Sequence, residues 1–424
     1  MSKEIENIQQ CPIHEINPMH PDLLRCPALL NKRLRDEAPV FKDPSSGIYF
    51  ISRFEDVVAM SQDPKIFSSV MGGAATRAVE SSEPEIVEIM AEGYADVPTM
   101  LTQDPPLQRR YRKFVDGVFA PSALNALSPM MESISHDLID RFGKKGECEF
   151  LSEFGIPLPL TVIASQIGAP IEDLPKLRRW TEAFIDNLSQ QGGLESRIKT
   201  AKSIIEFQHY FISRLEERRA EPRDDILSKI VNASIEGDQP MNNGECLSML
   251  NQILVAGNET TGAAMAQGIL LLIENPDQYE LVLADPSLQT ISNFVEEVLR
   301  VSSPSANMYR RTTKDIELHG VSIPENSICF ARFASANQDD NQFQDALRFD
   351  ITRHNLKTHV AFGKGVHHCL GAALARREMN IGFKVLFARV ENFRLQSKNQ
   401  IPEFMPNALL HGLERLDIAF DIRR

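Results

Sequence analysis

The run NNGECLSMLNQILVAGNETTGAAMAQGILLLIENP at 242–276 constrains this chain more than any other. Its apolar spacing predicts one long helix, capped near Asn242 with Glu245 three residues on and stopped at Asn275-Pro276. At 1.5 Å per residue, about 30 residues cross roughly 45 Å, the width of a domain. Such a helix must be central. Its middle is soft, because Gly257 and Gly262 each cost about 1 kcal/mol relative to Ala in a helix interior. Ala256, Gly257, Thr260 and Ala264 form a strip without bulk against which a large flat ligand can lie. The Thr260 hydroxyl can bond back to the Ala256 carbonyl and loosen the helix there. Glu259 sets an acid next to that hydroxyl, a pair able to deliver protons. The competing reading is close helix packing against small residues.

Around this helix the patterning is mostly helical. Apolar spacings of three and four dominate from about 120 to 300, while a strand is expected near Tyr49–Ser52, followed by a helix from about Phe54. A second strand region is expected at 316–333, with turns at His319-Gly320 and Pro324-Glu325. The pattern implies a mainly α fold with a smaller β part and lacks the βαβ alternation of a doubly wound sheet. No stretch reads as a linker, so the 424 residues are expected to form a single domain, 1–424. A net charge of −13 argues against nucleic acid as a partner. The N-terminal 22 residues lack an apolar anchor run, and ILLLI at 269–273 is too short to span a bilayer, so a cytoplasmic protein is expected.

Two further motifs carry chemistry. In NFVEEVLRVSSP, Glu297 and Arg300 share a helix face among apolar neighbours, which places part of the pair in the interior. The six cysteines are scattered without a CxxC pair, and only Cys369, in FGKGVHHCLG at 362–371, has distinctive neighbours. The helix after it is expected to begin at about Leu370, so that its N-terminus favours a thiolate. Gly363 and Gly365 permit a tight turn, and Gly371 leaves room for a planar ligand. Three readings compete for the thiol. Zinc would draw on His359, His367, His368 and Cys369, in poor tetrahedral geometry. A nucleophile would need a positioned base that no motif supplies. A haem-iron ligand needs one anionic sulfur, space and apolar shielding, and it uses every feature.

FGKGVHHCLG resembles the cysteine-loop signature of the cytochrome P450 family at every defining position. AGNETT at 256–261 and EVLR at 297–300 are similar to that family's oxygen-activation helix and its Glu-x-x-Arg pair, in the same order. The resemblance covers essentially the whole chain and implies a haem held between the long central helix and the cysteine-loop helix. It implies haem b with Cys369 as axial thiolate and iron ligand, Phe362 beside it, and Ala256, Gly257, Gly363 and Gly371 lining the cofactor. Arg112, Arg310 and His367 would meet the propionates, with Gln108 standing where most members have histidine. Glu259 and Thr260 would serve catalysis, whereas peroxide-using members carry arginine and proline there.

The resemblance also implies a structural triad of Glu297, Arg300 and Arg348, with Ala346 where proline is usual. Substrate would meet Gln252, Val255, Asn307, Leu409 and Leu410. The activity implied is insertion of one atom of O2 into a small-to-medium hydrophobic substrate of terpenoid, steroid, fatty-acyl or aromatic type. Electrons would come from a ferredoxin and its reductase, docked on Arg109, Arg110, Arg112 and Lys113, unless that cluster is only a solvated helix face. The alternative from another class is a haem-binding sensor or carrier, which would need Cys369 but neither Glu259 nor Thr260.

Overall fold

The computed structural model describes residues 11–70, 83–189, 193–233, 239–397 and 399–423. The first ten residues, part of the segment read as lacking an anchor run, lie outside the described residues. The chain groups into two compact units, one of Met1–Ser68, Ser128–Leu158 and Thr260–Arg424, the other of Ser69–Leu127 and Pro159–Glu259.

All the described strands lie in the first unit. Its five-stranded sheet runs in the order Val40–Lys42, Tyr49–Ile51, Ile328–Ala331, Met308–Thr312 and Phe67–Ser68. Tyr49–Ile51 pairs parallel with Cys329–Ala331, and the other neighbours are antiparallel. The expected strand at Tyr49 and helix from Phe54 are both present, the helix as Phe54–Gln62 with its first amide capped by Asp339 Oδ2 at 2.9 Å. The turn signals were also informative. His319 and Gly320 take φ of 50° and 74°, joining Ile316–Leu318 to Val321–Ile323 as the two left-handed residues of a tight hairpin. A three-stranded sheet of Glu147–Glu149, Asp417–Ile422 and Val390–Leu395 completes the β part.

Two helices of the same unit, Leu288–Ser302 and Ala372–Arg389, pack through Phe294, Phe383 and Phe387. The Phe294–Phe383 centroids stand 4.9 Å apart edge to face, and Phe383 stacks on Phe387 at 5.5 Å. Burying each such ring contributes about 1.5–3 kcal/mol, which fixes the helix that follows the cysteine loop. The second unit is helical. Trp180 of Leu174–Ser189 packs on Phe207 of Leu194–Ala220, centroids 5.9 Å apart, and its indole N–H donates to Glu206.

The long helix runs Asn243–Glu274 and contributes residues to both units. Its start is the expected reciprocal cap: Asn242 N–H donates to Glu245 Oε2 at 2.8 Å, and Glu245 N–H donates to Asn242 Oδ1 at 3.0 Å. Glu245 also accepts from Arg110 Nη1 and the Tyr111 hydroxyl, at 2.9 and 2.8 Å. Arg110 is therefore turned onto this acid, while Arg109 and Lys113 are exposed. Among the described residues no helix is long and apolar enough to cross a membrane.

Candidate haem-thiolate site

Within the first unit, the Cys369 loop is built by backbone geometry. Gly363 and Gly365 take φ of 66° and 71°, which L side chains rarely adopt. A Cβ on Gly365 would lie 2.3 Å from the carbonyl oxygen of Ser61, at the end of the Phe54–Gln62 helix. Cys369 N–H donates to the Phe362 carbonyl at 2.9 Å, and Gly363 N–H to the Val360 carbonyl at 2.8 Å. The helix begins at Ala372 rather than Leu370, because Leu370 and Gly371 first turn the chain: Ala375 N–H, bonding Gly371 at 2.9 Å, opens the regular ladder.

The thiol differs in burial from three of the other five cysteines, while Cys11 is likewise partly covered and Cys26 is exposed. Cys148, Cys246 and Cys329 are buried, and burial pushes their thiols upward, Cys246 to about 11 and Cys329 to about 12. Cys369 is only partly covered. Apart from adjoining backbone and chain neighbours, a Cβ built on Gly371 would meet Cys369 Sγ, at 4.0 Å, among the described residues. Gly371 thus places no side chain of its own next to the sulfur, in keeping with a haem bound through Cys369. The zinc reading finds no support. His359 spends Nδ1 on Ala361 N–H at 3.1 Å and Nε2 on Glu296 at 3.1 Å. Among the described residues the one cluster of three metal-ligating types is Glu55, Asp56 and His319, without Cys369.

Arg310, a buried cation on the Met308–Thr312 strand, donates from Nη1 to the Tyr309 carbonyl at 2.6 Å. His367 ends the short turn Gly365–His367 and is partly covered, whereas His368 is exposed. Segments 305–307 and 408–410 are joined by the Ser305–Leu410 bridge and by Ala306 N–H on the Leu409 carbonyl at 2.8 Å. That pairing brings Asn307, Leu409 and Leu410 together. The Asn307 amide nitrogen is committed to the Ala408 carbonyl, which leaves its buried Oδ1 as an acceptor. Asn407, whose side chain accepts from Leu409 N–H and Leu410 N–H, shapes this turn and gave no warning in the sequence beyond its residue type.

The structural triad requires a correction. Arg300 grips Glu297 with two bonds of 2.7 Å, but the second arginine side chain on Glu297 is Arg353, at 3.0 Å, not Arg348. The Arg348 side chain is exposed, and the residue contributes its carbonyl, which accepts from Arg300 and Arg353 at 3.1 and 2.7 Å. The reason is the backbone reversal between the two arginines, since Asp350 N–H also donates to Glu297, at 2.9 Å. Ala346, standing in for proline, is buried and gives its carbonyl to Arg300.

In the second unit the long helix is open at Ala256 and Gly257, whereas Ala264 of the expected strip, in the other unit, is fully buried. Ala256 is exposed and Val255, Gly257 and Glu259 are partly exposed, while Ile253, Leu254 and Asn258 are buried. Thr260, the first residue of the helix in the other unit, is also partly exposed, and Thr261–Leu270 are buried. Burial holds the Glu259 carboxyl above its ordinary range, Glu182 adds to this, and Arg178 opposes it. Gln252 is partly exposed, and its Oε1 accepts from Leu101 N–H at 3.2 Å while Nε2 donates to Thr99 Oγ1 at 2.7 Å. Its side chain thereby holds the 99–101 loop. Gln108 is buried and Arg112 partly exposed, with Asp116 3.8 Å from its Nε.

A family model for cytochrome P450 matches residues 184–416. Cytochrome P450 107B1 of Saccharopolyspora erythraea is 34% identical over 371 residues, 87% of this chain and 88% of that protein. Linalool 8-monooxygenase of Pseudomonas putida is 31% identical over 405 residues, 94% of this chain and 97% of that protein. Among solved structures, cytochrome P450 CYP109Q5 from Chondromyces apiculatus superposes with a TM-score of 0.84 at 32% identity, covering 97% of this chain and 100% of that one.

Proposed function

The chain belongs to the cytochrome P450 family of haem-iron monooxygenases, and from that premise we propose that Cys369 carries the haem and that the substrate is a small-to-medium hydrophobic molecule. The observation that carries the assignment of Cys369 is its partly covered thiol in a loop turned by Gly363 and Gly365 at positive φ, with the side-chain-free Gly371 beside the sulfur. Haem bound there supplies the activation of O2 and the transfer of one oxygen atom. Arg310 and His367, with Gln108 and Arg112, would hold its propionates, and Phe362 would shield the sulfur.

The chain's own part in the reaction is proton management and exclusion of water. Thr260 offers a hydroxyl that donates and accepts in turn. Glu259, its carboxyl raised by burial, exchanges protons closer to neutral pH than an exposed acid would. Val255, Leu409 and Leu410 supply apolar surface, and Asn307 Oδ1 can accept a bond from a substrate hydroxyl. The relative named for linalool supports a terpenoid-sized substrate. Electrons would come from a ferredoxin meeting the exposed Arg109 and Lys113, in a cytoplasmic, single-domain protein.

The test is the spectrum of the reduced, CO-bound protein. A red-shifted Soret band of thiolate type is expected for the wild type and lost in Cys369→Ser. A band that is absent from fresh wild-type protein, or unchanged in the variant, removes Cys369 from its role. A screen of terpenoid, steroid, fatty-acyl and aromatic compounds for the ferric spin-state shift then identifies the substrate class.

A further inference from the structure

We infer that Glu296, His359 and Arg376 act as a positioning set that holds Phe362, and through it the Cys369 backbone, and so tunes the reduction equilibrium of the bound haem. This rests on the reading of Cys369 as the haem ligand. Glu296 and Glu297 are adjacent on the Leu288–Ser302 helix, so their side chains leave it about 100° apart and serve different partners. Glu297 binds Arg300 and Arg353, whereas Glu296, 2% exposed, turns toward the cysteine loop.

There it receives two partners from distant segments. Arg376 grips it with Nε at 2.6 Å and Nη2 at 3.0 Å, a bidentate pairing that fixes the guanidinium plane. His359 Nε2 lies 3.1 Å from Glu296 Oε2. Because His359 Nδ1 accepts from Ala361 N–H at 3.1 Å, the ring proton resides on Nε2 and is donated to the carboxylate. With both ring nitrogens spent, His359 is neutral and locked, in agreement with the lowering of its pKa by burial and the depression of Glu296 to about 2 despite burial, through its bonds to His359 and Arg376.

The output of this set is Phe362. The Arg376 guanidinium carbon lies 4.4 Å from the Phe362 ring centroid, and the His359 ring stands 6.1 Å from it. Phe362 in turn gives its carbonyl to Cys369 N–H at 2.9 Å. The residue whose carbonyl accepts the Cys369 N–H is thus held from one side by a cation whose orientation a buried acid dictates. Partners behind a metal ligand commonly change its properties about tenfold or more when removed, and a fixed positive charge beside a thiolate-bound iron favours the reduced state.

The experiment is a redox titration of the purified haem-loaded protein with Arg376→Met, Arg376→Lys, Phe362→Leu and the Arg376→Met/Phe362→Leu pair. Arg376→Met is expected to make reduction about three- to tenfold less favourable, where tenfold corresponds to 59 mV for a one-electron couple, and to shorten the lifetime of the thiolate-type CO band. Arg376→Lys keeps the charge without the planar fork and should recover part of the shift. The double variant should show less than the sum of the single effects. His359→Phe provides a second route to the same readout if Arg376→Met is poorly folded. Variants that melt earlier but keep the wild-type potential and band lifetime would overturn the proposal. Strictly additive effects would likewise overturn action through Phe362. If wild-type protein lacks the thiolate band, the assignment of Cys369 falls first and this inference falls with it.

Discussion

At the scale of single residues, burial decides what an acid can do. Glu259 and Thr260 sit at the open, small-residue centre of the long helix, and a carboxyl raised by burial suits proton exchange. Thr260→Ala should leave haem bound while product formation falls by about 10²-fold and consumed electrons appear as hydrogen peroxide. An unchanged ratio of product to electrons would remove Thr260 from proton handling. Glu378 is the opposite case: both its oxygens are buried without a partner among the described residues, and burial raises its carboxyl well above the ordinary range. The folded protein therefore binds this proton more tightly than the unfolded chain does. Its contribution is complete below the unfolded value, near 4.3, and is lost as pH rises toward the folded one. Glu378→Gln should flatten that decline, so its stability in urea relative to wild type should increase between pH 5 and pH 8.

At the scale of elements, the two central glycines of the long helix separate. Sequence reasoning treats Gly257 and Gly262 alike, each about 1 kcal/mol worse than Ala. A Cβ on Gly257 would meet Ile163 at 3.6 Å, an ordinary contact, whereas one on Gly262 would lie 3.0 Å from the Gly155 carbonyl oxygen and 3.1 Å from its carbon. Backbone cannot give way as a side-chain tip can. Gly257→Ala is expected to be neutral or to stabilise by up to about 1 kcal/mol, and Gly262→Ala to destabilise by about 1–3 kcal/mol, read as shifts in denaturation midpoint. The capping box at Asn242–Glu245 was legible because its signal is contained in four residues. The extra load on Glu245, from Arg110 and Tyr111, was not, since those partners come from a helix more than 130 positions earlier.

At the scale of the whole molecule, the buried Glu297–Arg300–Arg353 group ties the Leu288–Ser302 helix to segment 337–353. Arg353→Ala should cost about 3–5 kcal/mol, the range for breaking a buried ion pair, while Arg348→Ala should change stability by less than about 0.5 kcal/mol, because only its carbonyl is used. Equal effects in thermal melts would return Arg348 to the triad. The sequence by itself determined the helical character of the chain, the long helix with its cap and soft centre, the hairpin at His319-Gly320 and the tight glycine turn before Cys369. Each of these follows from dihedral preference, capping or hydrophobic period, which act over a few residues. Only the tertiary structure decided which arginine reaches Glu297, which glycine is pressed against backbone, that Gln252 holds a loop, and that Glu296 meets His359 and Arg376 across 63 and 80 positions. Such pairings are selected by the packing of distant segments and by the cost of leaving a buried charge alone, and neither is written into any short stretch of chain.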